Sequence, residues 1–219
     1  MQDPHGLCGV ILAAGESSRM GTDKALLAWP PSAGGGPDRE TLLSAAIAGL
    51  APVTRAVVVV AGKNAESIAG VAGACGAYVV RNPDPSRGQF SSLQIGLQAG
   101  LDHDCESAII TPVDCPPLAP SSLALLCASF ERALARNRWA VVPENDGRHG
   151  HPLLVSHDFI RAFLDAAADS NAREILRAHA DRVEYVPVPD DLSRAGMNTP
   201  DEYAAYAEDS SGATSCGDS

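Results

Sequence analysis

The chain has 219 residues, of which 45% are hydrophobic and 20% are charged, a composition typical of a globular domain with a sizeable core. Its formal net charge of -11 argues against a nucleic-acid-binding protein, which would carry a basic face, and against binding to an anionic membrane surface. The sequence shows no apolar run long enough to span a bilayer and no secretory signal, so we expect a cytoplasmic protein. Its six cysteines form no C-x-x-C pair, which argues against a paired zinc or redox motif, and cysteines scattered in apolar segments are typical of buried, reduced thiols.

Short apolar segments alternate with helical patterns along the whole chain. The predicted strands are 7–13, 56–60, 77–80, 108–113, 140–142, 153–155 and 183–188. The predicted helices are 41–50, 64–72, 90–101, 121–138, 158–164, 172–180 and 200–207. This alternation predicts an α/β fold with a mostly parallel sheet and helices on both faces.

The predicted domain boundaries follow from composition. The segment 30–39 is rich in proline and glycine, and we expect a mobile loop there. Residues 209–219 are small, polar and acidic, which predicts a disordered tail. We therefore expect a single domain over residues 1–208.

The first predicted strand runs into a loop of small and basic residues, which reads V-I-L-A-A-G-E-S-S-R-M-G-T-D-K from Val10 to Lys24. Small residues let the backbone approach a ligand, and successive backbone N–H groups attract anions. Arg19 offers a planar fork for phosphate oxygens and Lys24 a point charge. Neither the P-loop pattern nor the dinucleotide pattern G-x-G-x-x-G is present. The stretch predicts a different phosphate-binding loop, with a solvated surface turn as the alternative.

Asp114 follows the fourth predicted strand, and carboxyl ends of parallel strands are where such sheets bind ligands. Mg²⁺ is commonly held by one or two carboxylates together with substrate phosphates, so Asp114 is a candidate ligand. An aspartate that stabilises the turn before Pro116 is the alternative. Cys115 is a candidate nucleophile, although no histidine lies near it in sequence.

Two further polar segments follow predicted strands. Ser91 and Ser92 open a predicted helix, whose free N–H groups favour an anion, although serine is also an ordinary helix cap. His149 and His151 have an H-x-H spacing, but they lack the acidic or cysteine partners of a recognised metal motif.

The pattern L-A-A-G-x-S-x-R-M-G-x-x-K resembles the signature of the molybdenum cofactor nucleotidyltransferases and the related sugar-phosphate nucleotidyltransferases. The resemblance extends from Val10 to about Tyr203 and implies a single-domain Rossmann-like nucleotidyltransferase fold. Ala13-Ala14-Gly15 stands where the guanylyltransferase branch has Ala-Gly-Gly, so the chain is most similar to the cytidylyltransferase branch. The choice of base nevertheless stays open between CTP and GTP.

The same resemblance implies roles for individual residues. The residues implied to bind the nucleotide are Leu12, Ala13, Ala14, Gly15, Arg19, Lys24, Asn82 and Ser92. Those implied in catalysis are Arg19, Lys24 and Asp114. Gly150, His151 and Pro152 match a Gly-x-x-Gly-His-Pro stretch on the acceptor side.

The implied metal site joins two distant segments. Asp114 stands in a D-x-P context, and Asn198 lies in a late motif, [DN]-x-[DN]-T-P-x-[DE], in which a side-chain oxygen completes the metal site. Gly196 departs from the first position of that motif. Capping of a helix at Pro200 by Asn198 or Thr199 is an alternative that is compatible with metal binding.

The implied activity is Mg²⁺-dependent transfer of CMP from CTP, or GMP from GTP, to the phosphate of a pterin acceptor, molybdopterin, with release of pyrophosphate. Such chemistry depends on positioning and charge neutralisation. A molybdoenzyme or its chaperone is the implied partner. Two alternatives remain: a sugar-phosphate or polyol-phosphate acceptor, and a non-catalytic carrier of nucleotide or cofactor.

Overall fold

The computed structural model describes residues 6–15, 22–31, 40–167, 169–190, 196–197, 199–204 and 206. The predicted tail 209–219 and most of the predicted mobile loop 30–39 lie outside the described residues. Within the described ranges, no helix is both long and apolar enough to cross a membrane.

Eight strands form one sheet in the described residues. The strands are β1 (Leu7–Ala13), β2 (Ala56–Ala61), β3 (Tyr78–Arg81), β4 (Ser107–Pro112), β5 (Ala140–Asn145), β6 (Arg148–His149), β7 (Leu153–Val155) and β8 (Val183–Pro187). Their order is β3-β2-β1-β4-β7-β5-β6, and β8 pairs with β5.

Six α-helices connect and cover the strands of the described residues. They are α1 (Leu42–Leu50), α2 (Ala65–Ala74), α3 (Gln89–Asp102), α4 (Pro120–Ala135), α5 (His157–Leu164) and α6 (Ala172–Ala178). The predicted cap at Thr41 is present, since its side chain accepts from the Ser44 amide while the Ser44 side chain accepts from the Thr41 amide. Residues 200–204 and 206 of the predicted closing helix are helical.

The sheet is mostly parallel, as the sequence predicts. β1 pairs in parallel with β2 and β4, β2 with β3, and β5 with β8. β6 and β7 are the exceptions, because β7 pairs antiparallel with both β4 and β5, and β6 pairs antiparallel with β5. A parallel partner would need a long crossover, whereas only a short hairpin segment separates β5 from β7. That segment contains β6, so the predicted polar turn 143–150 is partly extended strand.

Successive residues of the central strands pack into two different hydrophobic cores, one on each face of the sheet. On β1, Ile11 and Ala13 pack with residues of α1, α2 and α4, whereas Val10 and Leu12 pack with residues of α3 and α5. Successive side chains of a strand point to opposite faces, so strands buried on both faces are apolar throughout. The sheet is therefore covered by helices on both sides, as predicted.

Helix α3 lies unusually close to the sheet. A Cβ atom added at Gly96 would come within 2.5 Å of Val10 Cγ1 and 2.8 Å of Val60 Cγ2. Only glycine permits this approach, which fixes the first residues of α3 relative to the carboxyl ends of β1 and β2.

Candidate active site

A cavity of about 180 Å³, here called the inner cavity, opens at the carboxyl ends of β1 and β4. Its lining comes from residues 12–15, 23–24, 88–89 and 112–114, with Pro85 and Ser92. Of the predicted phosphate-binding stretch from Val10 to Lys24, residues 12–15 and 23–24 line the cavity. Lys24, Ser92 and Asp114 line the same space, so the structure brings these predicted site residues together. Arg19 lies outside the described residues.

The loop after β1 is held by a network centred on Asn64, which sequence reasoning did not single out. The Asn64 Nδ2 donates to the Ala13 carbonyl oxygen at 3.0 Å and to Asp23 Oδ2 at 2.8 Å. The Gly62 amide donates to Asn64 Oδ1 at 2.9 Å. These bonds tie the loops after β1 and β2 to each other and to Asp23.

Asp23 places Lys24 at the cavity. Its Oδ1 accepts from the Ala25 amide at 3.0 Å and so caps the short 3₁₀-helix Lys24–Leu26. Lys24 Nζ then lies 2.8 Å from Asp114 Oδ2, with side chains 14% and 21% exposed. The ion pair is therefore partly buried, yet open to a ligand from the cavity.

Asn82 lies behind the cavity lining. It is 2% exposed, and its Nδ2 donates to the hydroxyl oxygens of Ser91 and Ser92, each at 2.9 Å. Its Oδ1 accepts from the Asp84 amide at 3.0 Å. Both polar atoms of the Asn82 side chain thus form hydrogen bonds with other protein groups. Through one of these bonds Asn82 orients Ser92, which lines the inner cavity.

A second cavity of about 910 Å³, here called the outer cavity, adjoins the first. Gly150 and His151, which the resemblance implies on the acceptor side, both line it. Pro152 instead borders a separate apolar cavity of about 20 Å³ beside Leu50 and Leu123.

The His151 imidazole is held in an unusual electrostatic environment. Its Nδ1 is buried without a hydrogen-bond partner among the described residues. Burial lowers the pKa of His151, opposed by a backbone hydrogen bond to Ile110 and by the charge of Asp114, with Arg173 lowering it further. The ring is accordingly favoured in its neutral form.

Asp114 borders both cavities, together with Gln89 and Pro112. The Met197 amide donates to the Asp114 backbone carbonyl at 3.1 Å, which places the start of the late motif beside this strand end. Asn198 lies outside the described residues. Thr199 forms the predicted cap, because its hydroxyl accepts from the Glu202 amide at 3.2 Å while Glu202 accepts from the Thr199 amide at 3.0 Å.

The described residues would supply few protein ligands to a metal. Among them no group of three or more His, Cys, Asp or Glu side chains comes together. Asp114 Oδ2 accepts from Lys24, and its Oδ1 has no hydrogen-bond partner in the described part of the chain. One carboxylate oxygen facing a cavity fits Mg²⁺ or a similar cation that takes its other ligands from phosphates and water.

Cys115 does not have the character of a nucleophile. Burial raises the pKa of its thiol to about 12, and the neighbouring Asp114 charge adds to this effect while Lys24 opposes it. A thiol with so high a pKa is almost wholly protonated at neutral pH, and the thiolate is the reactive form.

The outer cavity also contains basic residues that sequence reasoning missed. Arg148, Arg173 and Arg177 line it, and Arg173 and Arg177 lie four residues apart on α6. That spacing places them on one helix face, a signal available in the sequence. An exposed basic face is ordinarily solvated, so only the fold shows that it meets a cavity.

Residues 9–183 match the family model described as the MobA-like NTP transferase domain. Two curated relatives are similar over most of their lengths. The molybdenum cofactor cytidylyltransferase of Escherichia coli (strain K12) is 26% identical over 76% of this chain and 79% of its own. The "Probable molybdenum cofactor guanylyltransferase" of Mycobacterium avium (strain 104) is 27% identical over 95% of this chain and 98% of its own.

Solved structures share the fold. The crystal structure of Rv0371c from Mycobacterium tuberculosis H37Rv has a TM-score of 0.73 at 22% identity and covers 95% of this chain and 100% of that one. A crystal structure of Rv0371c in complex with manganese has a TM-score of 0.68 at 19% identity, over 92% of this chain and 98% of that one. The family match covers most of the sheet and every described residue that lines the inner cavity, and the chain therefore belongs to the family of MobA-like NTP transferase domains.

Proposed function

We propose that this nucleotidyltransferase transfers CMP from CTP to the terminal phosphate of molybdopterin or its molybdenum-bearing form. In this reaction an acceptor phosphate oxygen forms a bond to the α-phosphorus of the nucleotide. The bond from that phosphorus to the bridging oxygen breaks, and pyrophosphate leaves. The acceptor oxygen is already anionic, so the reaction needs no general base. The nucleotidyltransferase domain extends over residues 1–208 in this proposal.

The observation that carries the proposal is the position of Asp114 between two cavities of different character. The inner cavity has the small residues and backbone groups that suit a nucleotide, and Lys24 lies 2.8 Å from the Asp114 carboxylate at its edge. The outer cavity is larger and basic. A group bound in each cavity would meet at Asp114, as transfer between two substrates requires.

In this proposal the metal would bind at the same residue. Asp114, with Asn198 assisting, would hold Mg²⁺ against the nucleotide phosphates and neutralise charge that develops during transfer. Lys24 and Arg19 would offset the remaining phosphate charge. The manganese complex of Rv0371c supports a divalent cation in this fold.

The remaining predicted residues take supporting roles. The backbone of residues 12–15 would contact the base and ribose, with Ser92 in the lining of the same cavity. Asn82 would act through Ser92, whose hydroxyl it holds at 2.9 Å. Gly150 and His151 would shape the acceptor side, where Arg148, Arg173 and Arg177 attract an anionic molecule to a chain whose net charge is -11.

Pyrophosphate release with molybdopterin and Mg²⁺ tests the proposal, with CTP, GTP, ATP and UTP compared at equal concentration. Release with CTP alone is the expected result. Release with GTP alone would overturn the choice of base and assign the chain to the guanylyl reaction of its Mycobacterium avium relative.

Two other outcomes separate the remaining candidates. Release with a sugar phosphate or a polyol phosphate, but not with molybdopterin, would overturn the proposed acceptor. Tight nucleotide binding without release from any combination would indicate a carrier, although the ion pair of Lys24 and Asp114 at the inner cavity favours the enzyme.

A further inference from the structure

The rim of the outer cavity carries a stacked pair of aromatic rings. The centroids of His149 and Tyr185 lie 4.1 Å apart with an angle of 18° between the ring planes. Both residues line the outer cavity. They belong to β6 and β8, the two strands that flank the carboxyl-terminal part of β5.

The pair is held in place by the sheet rather than by burial. His149 lies opposite Glu144 in the β5–β6 register, with 3.5 Å between His149 Nε2 and Glu144 Oε2. Val183 and Val186 on β8 are buried, whereas Tyr185 remains 45% exposed. The chain thus keeps a large aromatic ring in a fixed orientation and leaves nearly half of it accessible.

The surroundings of this pair define the ligand that would suit it. Arg148 precedes His149 on β6, and Arg173 and Arg177 line the same cavity, so an anionic group would bind nearby. An exposed aromatic face binds planar ring systems by stacking, and tyrosine loses little side-chain freedom in doing so. A molecule with a flat fused ring and anionic substituents would satisfy both features.

We infer that the stacked pair of Tyr185 and His149 forms the surface on which the planar pterin ring of the acceptor stacks during transfer. This inference rests on the proposed function and adds the residues that recognise the acceptor ring. It concerns ring recognition alone, since phosphate binding and transfer depend on the arginines and on Asp114.

A purely structural role gives a different expectation. A stack of two rings over β5 could have only a structural role, and loss of the ring would then lower thermal stability without any change in acceptor binding. Tyr185→Phe keeps the ring, whereas Tyr185→Leu keeps apolar bulk without it. The comparison of these two variants therefore isolates the aromatic face.

The test measures initial rates of pyrophosphate release at varied molybdopterin and saturating nucleotide, and then at varied nucleotide and saturating molybdopterin. We expect Tyr185→Leu to raise the KM for molybdopterin about tenfold, the size typical of one lost stacking contact. Tyr185→Phe should stay within about twofold of the wild type, because it keeps the stacking face. The KM for nucleotide should be the same in all three proteins.

Two results would overturn the inference. One is an unchanged KM for molybdopterin in Tyr185→Leu, even with a lowered melting temperature. The other is a raised KM for nucleotide instead, which would assign the stacking surface to the nucleobase.

A different result would show that the proposed function itself is wrong: the wild-type protein would release no pyrophosphate from any nucleotide with molybdopterin. Fluorescence titration of the intact protein with 6-hydroxymethylpterin then decides the inference. Binding by the wild type and Tyr185→Phe with about tenfold weaker binding by Tyr185→Leu would support it. Absence of binding to the wild type, or equal binding by all three proteins, would overturn it.

Discussion

The inner and outer cavities adjoin at Asp114, yet they are built in different ways. Residues 12–15 of the inner cavity are small or apolar, and the loop after β1 is fixed by hydrogen bonds from Asn64. The outer cavity is lined by long, exposed side chains from a hairpin and a short helix, among them Arg148 and Arg177. In the proposed function, the first cavity would recognise its ligand through backbone shape, and the second through side-chain charge. Substitutions should therefore affect the two cavities by different routes.

Asp114→Asn should produce the largest effect, because Asp114 borders both cavities. We expect the rate of pyrophosphate release to fall by about 10²- to 10³-fold, since the amide cannot neutralise charge as a metal-bound carboxylate does. The Asp114 side chain is partly exposed, so the melting temperature should change little. Near-normal rates at saturating Mg²⁺ would refute the metal role, and Asp181→Asn, on an exposed side chain, is the control.

Gly62→Ala should disturb the inner cavity through the backbone. The added Cβ would lie 2.8 Å from the Ala14 carbonyl oxygen, so the loop after β1 must move. We expect the KM for nucleotide to rise roughly tenfold and the free energy of unfolding to fall by about 1–3 kcal/mol.

The matched control for this change is Gly70→Ala. Gly70 lies within α2, and a Cβ there meets no described atom within 4 Å. That variant should be stabilised by about 0.5–1 kcal/mol, because alanine favours the helix over glycine. A Gly62→Ala variant with the kinetics of the control would show that the inner cavity tolerates movement of its backbone.

Arg177→Met should affect the outer cavity more than the inner one, because Arg177 lines the outer cavity and a neighbouring cavity that reaches Leu12 and Gln89. Loss of one guanidinium should raise the KM for molybdopterin by roughly fivefold to tenfold and change the KM for nucleotide less. Arg161→Met removes the same charge from the exposed side of α5 and controls for net charge. Equal effects of the two substitutions would indicate that the KM for molybdopterin depends on the net charge of the protein and not on a contact with Arg177.

His151→Gln should produce the smallest effect, which is a change in how the stability of the fold depends on pH. Burial lowers its pKa in the folded protein, so on acidification the unfolded chain takes up the proton first. The contribution of neutral His151 to the free energy of unfolding is fully present above the pKa of the unfolded chain, about 6.5. It is lost as the pH falls from there towards the lower pKa of the folded protein. The midpoint of urea unfolding should therefore fall less between pH 7 and pH 5 in His151→Gln than in the wild type. Identical pH dependence would contradict the burial of a neutral imidazole.

The inner cavity could be predicted from the sequence because its determinants are local. A buried strand that ends at Ala13 and continues into Ala14 and Gly15 places backbone groups at one edge of the sheet, and Asp114 follows a neighbouring strand. Both facts follow from short apolar runs and the parallel topology that alternation implies.

The outer cavity could be predicted only in part, because its residues meet through tertiary structure. Tyr185 and His149 lie 36 positions apart in the sequence printed above, and only the pairing of β6 and β8 with the same strand brings their rings together. The contacts of Asn82 likewise could not be predicted without the fold. Its polarity suggests a ligand contact, whereas its burial and its bonds to Ser91 and Ser92 direct it into the protein.

The lining that the inner and outer cavities share has a kinetic consequence for the proposed reaction. Gln89, Pro112 and Asp114 border both, so the dinucleotide product of the proposed reaction would occupy both cavities at once. One molecule that makes both sets of contacts loses translational freedom only once, and it binds more tightly than either substrate. Departure of the product would then limit turnover, and a protein that captures it would accelerate the whole cycle.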